Sequence, residues 1–209
     1  MAHPSPTQQQ RRRDLILASG SRYRQELLER LQLDFSVIVP AVDESSAGDE
    51  TPRALAERLA LAKAEAVAAH HPEAVVIGSD QAATLDGRDI VGKPGTHERA
   101  VAQLRSASGR AMHFHTAVAV VCAASGHREV VTVPTTVHFR PLSDELIEAY
   151  LRAETPYDCA GSAKCEGLGA SLLESIDGPD PSALIGLPLI ELCQMLARAG
   201  IAVLPGIPS

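Results

Sequence analysis

An apolar run that stops in three small residues, with arginines just beyond, constrains this chain more than any other feature. Leu15-Ile16-Leu17 reads as a short buried strand and Ser19-Gly20-Ser21 as a turn. The segment opening at Arg22 and Arg24 reads as a helix with Leu27, Leu28 and Leu31 on one face. With Ser21 as the helix cap, the free N–H groups of the first turn and the helix dipole favour an anion at the turn. Gly20 lets a backbone come close, and Arg24 can give two parallel hydrogen bonds to a phosphate. The same residues also fit an ordinary strand–turn–helix with solvated arginines.

Further along, "DFSVIVP" (34–40) alternates and is β-branched, so it reads as a strand, followed by the acidic loop "AVDESSAGDE" (41–50). Thr51-Pro52 is an N-cap followed by proline in the first turn of a helix running to about Ala69. "AVVIG" (74–78) predicts a buried strand ending at Ser79-Asp80-Gln81, and Thr96 can cap a helix to about Ser106. "AMHFHTAVAVVCA" (111–123) and "EVVTVPTTVHFRPL" (129–142) form a long hairpin. Ser143 caps a helix with Asp144 and Glu145 in its first turn, as the macrodipole prefers, and a last helix spans about Pro188 to Ala199. Alternation early and a hairpin late predict an α/β fold: a mixed central sheet with helices on both faces, in two lobes with a cleft.

Of the 209 residues, 45% are hydrophobic and only 3% aromatic, so the core is aliphatic. The length suits one domain, drawn here as residues 14–201, after a loose polar tail over residues 1–13. No stretch approaches about 18 consecutive apolar residues, and the run after Arg11–Arg13 is too short for a signal core, which points to a cytoplasmic protein. Cys122, Cys159, Cys165 and Cys193 lack zinc-site spacing and read as buried small hydrophobes in a reducing compartment. A net charge of −7 disfavours binding to a nucleic-acid polymer. It leaves room for a small anion where Arg and Lys cluster.

Several residues could carry chemistry. Asp80, at the end of an apolar strand, sits where open α/β sheets bind ligands, and can ligate a hard cation or take a proton from water. Glu44, beside Asp43, follows another strand. Lys63 lies beside the apolar stripe of its helix, and Lys93 follows Gly92. Each also has a plain reading: a turn, a solvated acidic loop, a snorkelling lysine. "GRDIVGKP" has P-loop spacing, but Pro94 stands where Ser or Thr must hold Mg²⁺. His113 and His115 share a strand face and read as structural. HExxH, GxSxG and SxxK are absent.

The order of these weak signals is specific. The chain resembles the Maf family of nucleotide pyrophosphatases in "LILASGSRYRQELLERL", "VDE" (42–44), "RLALAKAEAV" (58–67), "IGSDQ" (77–81), "GKP" (92–94), "CAGSAKCEGLG" (159–169) and "IGLPL" (185–189). The resemblance implies an ITPase-like fold and hydrolysis of a nucleoside triphosphate between its α- and β-phosphates, with Mg²⁺ or Mn²⁺ as the cation. By resemblance Asp80 takes the proton of the attacking water, and Glu44 and Asp80 lie at the metal. Ser19, Ser21, Arg24, Lys63 and Lys93 match positions around the triphosphate. Gln81, where dTTP- and UTP-hydrolysing members usually carry Thr, points to the 7-methyl-GTP branch, with Tyr23, Gln81 and Glu166 as specificity positions and removal of modified nucleotides as the task. A cationic N7-methylguanine suits an electron-rich ring such as Tyr23. Glu166 can accept from the guanine N1–H and N2–H₂ edge, and Gln81 can donate and accept. Arg22 and Gln25 depart from the usual Pro and Arg, and Tyr23 stands where this branch usually has Trp. The alternatives are dTTP/UTP hydrolysis, or a non-catalytic nucleotide-binding regulator of cell division. The partner implied is a nucleoside triphosphate, without nucleic acid or membrane, and a homodimer is left open.

Overall fold

A computed structural model describes residues 13–46 and 48–204. The predicted tail lies outside the described residues except for Arg13, whose Nη1 donates to the carbonyl of Ala199 (3.2 Å). Among the described residues, seven strands form one mixed sheet in the order β2-β1-β3-β5-β6-β7, with β4 beside β3. These are β1 (Leu15–Ala18), β2 (Ser36–Val37), β3 (Val75–Thr84), β4 (Ile90–Val91), β5 (Ala111–Cys122), β6 (His127–Phe139) and β7 (Leu173–Asp177). The helices are α1 (Arg22–Glu29), α2 (Pro52–Ala68), α3 (His97–Ala107), α4 (Asp144–Glu154) and α5 (Leu189–Arg198). β1 runs parallel to β2 and β3, and the remaining ladders are antiparallel.

Side-chain alternation along β1 and β3 makes two cores back to back. Ile16, Ala18 and Val76 face α2 through Ala56, Leu59 and Ala60. Leu15, Leu17, Val75 and Ile77 face the opposite way, onto Leu27 and Leu28 of α1 and Leu192, Met195 and Leu196 of α5. A third core lies on the far halves of β3, β5 and β6. There Ala83, Met112, Phe114 and Phe139 pack on Leu104 of α3 and Ile147 and Leu151 of α4. The long strands therefore carry both lobes.

The alanine-rich face of α2 lets the helix lie close on the sheet. A Cβ on Gly78 would stand 2.1 Å from the carbonyl oxygen of Ala60 and 2.8 Å from the backbone N of Ala64, so only glycine fits. Thr51, Thr96 and Ser143 cap their helices with side-chain oxygens, as expected.

Four expectations need correction. Ser21 occupies the N-cap position of α1, but its hydroxyl makes no cap bond; its N–H instead donates to Ser19 Oγ (3.2 Å). The strand expected over 34–40 is paired only at Ser36–Val37, because β1, its neighbour, is four residues long. The strand expected to end at Ser79 runs on to Thr84. β5 pairs it without interruption from Val76 to Thr84, whereas β1 stops opposite Gly78. Asp80 thus sits inside a strand, just where the neighbour on one side has ended. Of the cysteines, all four are free and only Cys122 is buried.

Candidate active site

The end of β1, the start of α1, the middle of α2 and β3 beyond Gly78 meet at a cavity of about 730 Å³. That is within the size range of small-molecule sites. Ser19, Ser21, Tyr23, Arg24, Glu44, Lys63, Asp80, Gln81, Lys93 and Glu166 all line it. Every site residue expected from sequence is thus brought to one place. A larger groove of about 1450 Å³ lies at the other end of β1, around Asp14 and Phe35, and carries none of them.

The centre is an ammonium between two carboxylates. Lys63, only 7% exposed, puts Nζ 2.7 Å from Asp80 Oδ1 and 2.7 Å from Glu44 Oε1. The close packing of α2 on Gly78 sets this distance, since Lys63 adjoins Ala64 and Asp80 follows Gly78 by two residues. The hydrogen bond from Lys63 holds the Glu44 carboxyl below its ordinary pKa, against a smaller opposing effect of burial, with Lys93 and Arg24 adding attraction. Lys93 is exposed on the loop after β4 and makes no hydrogen bond or ion pair among the described residues.

Arg24 is aimed by backbone. Its Nε donates to the carbonyl of Gly186 (2.9 Å) and its Nη1 to Ser19 Oγ (3.4 Å). Burial pushes the guanidinium pKa down, while Asp80 and Glu44 pull it up. The same carbonyl of Gly186 accepts from the buried Ser79 hydroxyl (2.9 Å). Arg22, by contrast, is paired with Glu26 (2.6 Å) on the exposed side of α1.

On the other side of the cavity, Tyr23 Oη donates to Asp158 Oδ2 (3.3 Å), and Lys164 Nζ stands 5.8 Å from the Tyr23 ring centroid. The ring is therefore already used as a cation platform. Gln81 is more constrained than its side chain suggests. Its Nε2 is turned inward to Thr116 Oγ1 (2.9 Å) and the carbonyls of Ala183 (3.1 Å) and Leu184 (3.0 Å). That leaves Oε1, an acceptor, for a ligand. Glu166 is exposed, with Oε2 accepting from Cys165 Sγ (3.3 Å).

Glu44 and Asp80 offer hard oxygen donors that suit Mg²⁺ or Mn²⁺. Among the described residues no group of three or more His, Cys, Asp or Glu is placed to hold a metal by itself. Such a cation would complete its shell with phosphate oxygens and water, as Mg²⁺ at phosphate sites does. His113 and His115 belong to no such set: His113 is exposed and bonded to Thr136 Oγ1 (3.1 Å).

Sequence reasoning did not single out Gly186 or Asp158, which line the cavity, or Glu154, which does not line it but bonds to Lys164 and Leu168 of the loop that does. Gly186 acts through its carbonyl, which no side-chain pattern reveals. Glu154 carries a signal that could be read: a carboxylate closing a helix, where the macrodipole disfavours it.

The family model described as "Maf-like protein" matches residues 14–199. A protein of Albidiferax ferrireducens named 7-methyl-GTP pyrophosphatase is 60% identical over 192 residues, covering 92% of this chain and 96% of that protein. A Polaromonas protein of the same name is 62% identical over 190 residues (91% and 86%). Among solved structures, the Staphylococcus aureus Ham1 protein aligns with a TM-score of 0.46 at 17% identity, over 61% of this chain and 72% of that one. Among the described residues no helix is long and apolar enough to cross a membrane.

Proposed function

The chain belongs to the Maf family, and from that premise we propose that it is a nucleoside triphosphate pyrophosphatase acting on 7-methyl-GTP. The products are 7-methyl-GMP and pyrophosphate. The observation that carries this reading is Lys63 clasped between Asp80 and Glu44, in a cavity whose other charged groups include Arg24 and Lys93.

Phosphoryl transfer needs positioning and neutralisation of charge more than covalent help from the protein. Asp80 Oδ1 is taken by Lys63, which leaves Oδ2 to receive the proton of a water. That water's oxygen forms a bond to the α-phosphorus, the bond from α-phosphorus to the bridging oxygen breaks, and pyrophosphate leaves. Arg24, held by Ser19 and Gly186, and Lys93 on its loop neutralise the triphosphate. Glu44 and Asp80 would hold the divalent cation, which when bound supplies further neutralisation of the phosphate oxygens. For the base, Tyr23 offers its ring to the cationic purine, Glu166 accepts from the N1–H and N2–H₂ edge, and Gln81 Oε1 adds an acceptor.

The test is pyrophosphate release from 7-methyl-GTP, GTP, dTTP and UTP with Mg²⁺ or Mn²⁺, repeated in EDTA. 7-Methyl-GTP should be turned over fastest and EDTA should stop the reaction. Faster turnover of dTTP and UTP would overturn the substrate assignment. Nucleotide binding without any pyrophosphate release would overturn the enzyme.

A further inference from the structure

The motif Lys164-Cys165-Glu166-Gly167-Leu168 is wrapped around one carboxylate. Glu154, the last residue of α4, has a side chain only 13% exposed. Its Oε2 accepts from the backbone N–H of Leu168 (2.8 Å), and its Oε1 pairs with Lys164 Nζ (3.3 Å). A Cβ on Gly167 would lie 2.7 Å from that Oε2, so the glycine of the motif is where the chain presses on the carboxylate. One turn earlier on α4, the buried Tyr150 hydroxyl accepts from the backbone N–H of Lys164 (2.9 Å). Residues 150 and 154 thus grip the loop at both ends, with Glu166 between the grips and the Lys164 ammonium delivered over the Tyr23 ring.

A carboxylate at a helix C-terminus faces the negative end of the dipole and weakens the helix that carries it. The N–H of Leu168, and secondarily Lys164, hold the Glu154 carboxyl below its ordinary pKa, so it stays charged in that position. Helix stability does not account for it, whereas the loop does. We propose that Glu154 is the positioning residue of base recognition: it fixes the 164–168 loop so that Glu166 and Tyr23 face the purine, and takes no part in binding the phosphates. This rests on the base-side reading given above for Tyr23 and Glu166.

The test compares a ligand with a base and one without. Affinities of 7-methyl-GTP, GTP and inorganic tripolyphosphate are measured by calorimetry, in the presence of Ca²⁺, for the wild type, Glu154→Ala, Glu154→Gln and Tyr150→Phe. Glu154→Ala should weaken 7-methyl-GTP about tenfold, the scale of one charge-assisted hydrogen bond, and tripolyphosphate less than about twofold. Glu154→Gln keeps an acceptor for Leu168 N–H and should lie between. Equal weakening of both ligands marks a merely structural residue and overturns the proposal, as does unchanged affinity for 7-methyl-GTP. Should Glu154→Ala fail to fold, Glu154→Gln and Tyr150→Phe carry the same comparison. If the wild type binds GTP as tightly as 7-methyl-GTP, the substrate assignment falls. The role of Glu154 is then still read from GTP against tripolyphosphate.

Discussion

The Nζ of Lys63 and the Oδ1 of Asp80 are 2.7 Å apart, on a helix and a strand that Gly78 allows to touch. The same ammonium also reaches Glu44, so in the free protein it holds the position between the carboxylates that a cation would share. Unit charges this close interact by several kcal/mol even at an effective dielectric constant of about 20. Lys63→Met should therefore tighten Mn²⁺ binding to the nucleotide-free protein by about tenfold or more. Electron paramagnetic resonance of free Mn²⁺ reads this directly, and unchanged affinity would show that Lys63 does not compete for the carboxylates.

Asp80→Asn keeps an oxygen for Lys63 and removes the proton acceptor. Pyrophosphate release should fall by about 10²–10⁴-fold, the usual share of a general base. Nucleotide affinity should change little. Equal loss of both in titrations would assign Asp80 to binding alone.

Glu44 sets a pH dependence. Its folded carboxyl has a depressed pKa, so its contribution to stability is complete above the ordinary value of 4.5 and is lost as pH falls through the folded one. As pH falls below that ordinary value the unfolded chain takes up this proton first. Urea melts of wild type and Glu44→Gln should diverge at neutral pH and converge toward the acid end. A constant gap across the series would remove Glu44 from the linkage.

Gly78→Ala brings its methyl group against backbone atoms of α2, which cannot rotate away. A loss of about 3 kcal/mol is expected from overpacking, measured by denaturant unfolding. A near-neutral effect would mean that α2 lifts off the sheet without cost, and turnover of that variant would then report how far Lys63 has moved.

The cavity thiols should be slow. Burial is the main cause that raises Cys159 to about 11 and Cys165 to about 12. At pH ~8 the thiolate fraction of each is on the order of one in a thousand or below. Alkylation by iodoacetamide, followed by peptide mass, should label neither at the rate of free cysteine.

Much of the fold was legible because its signals are local. The Thr51, Thr96 and Ser143 caps and the 111–142 hairpin follow from spacing and turn chemistry alone. The length of β3 was not, since an Asp-Gln pair looks like a strand end unless a continuous partner is known, and β5 supplies that partner from 35 residues away. The gathering of the charged residues was legible through order along the chain. What fastens them was not. Gly186 holds Arg24 and Ser79 with a carbonyl, and Ala183 and Leu184 use carbonyls to turn Gln81 inward. Backbone atoms look alike in every sequence.

Strands β5 and β6, of 12 and 13 residues, pass unbroken from the lobe under α2 to the lobe under α3 and α4, paired at every step from Ala111 to Cys122. A floor of this kind has no hinge beneath the cleft. The two halves are joined by continuous paired strands rather than by a tether. The loops at 39–46, 92–96 and 158–168, which contribute to the cavity wall, stand outside those strands. Selectivity in this molecule is a matter of how the slot is built before the ligand arrives.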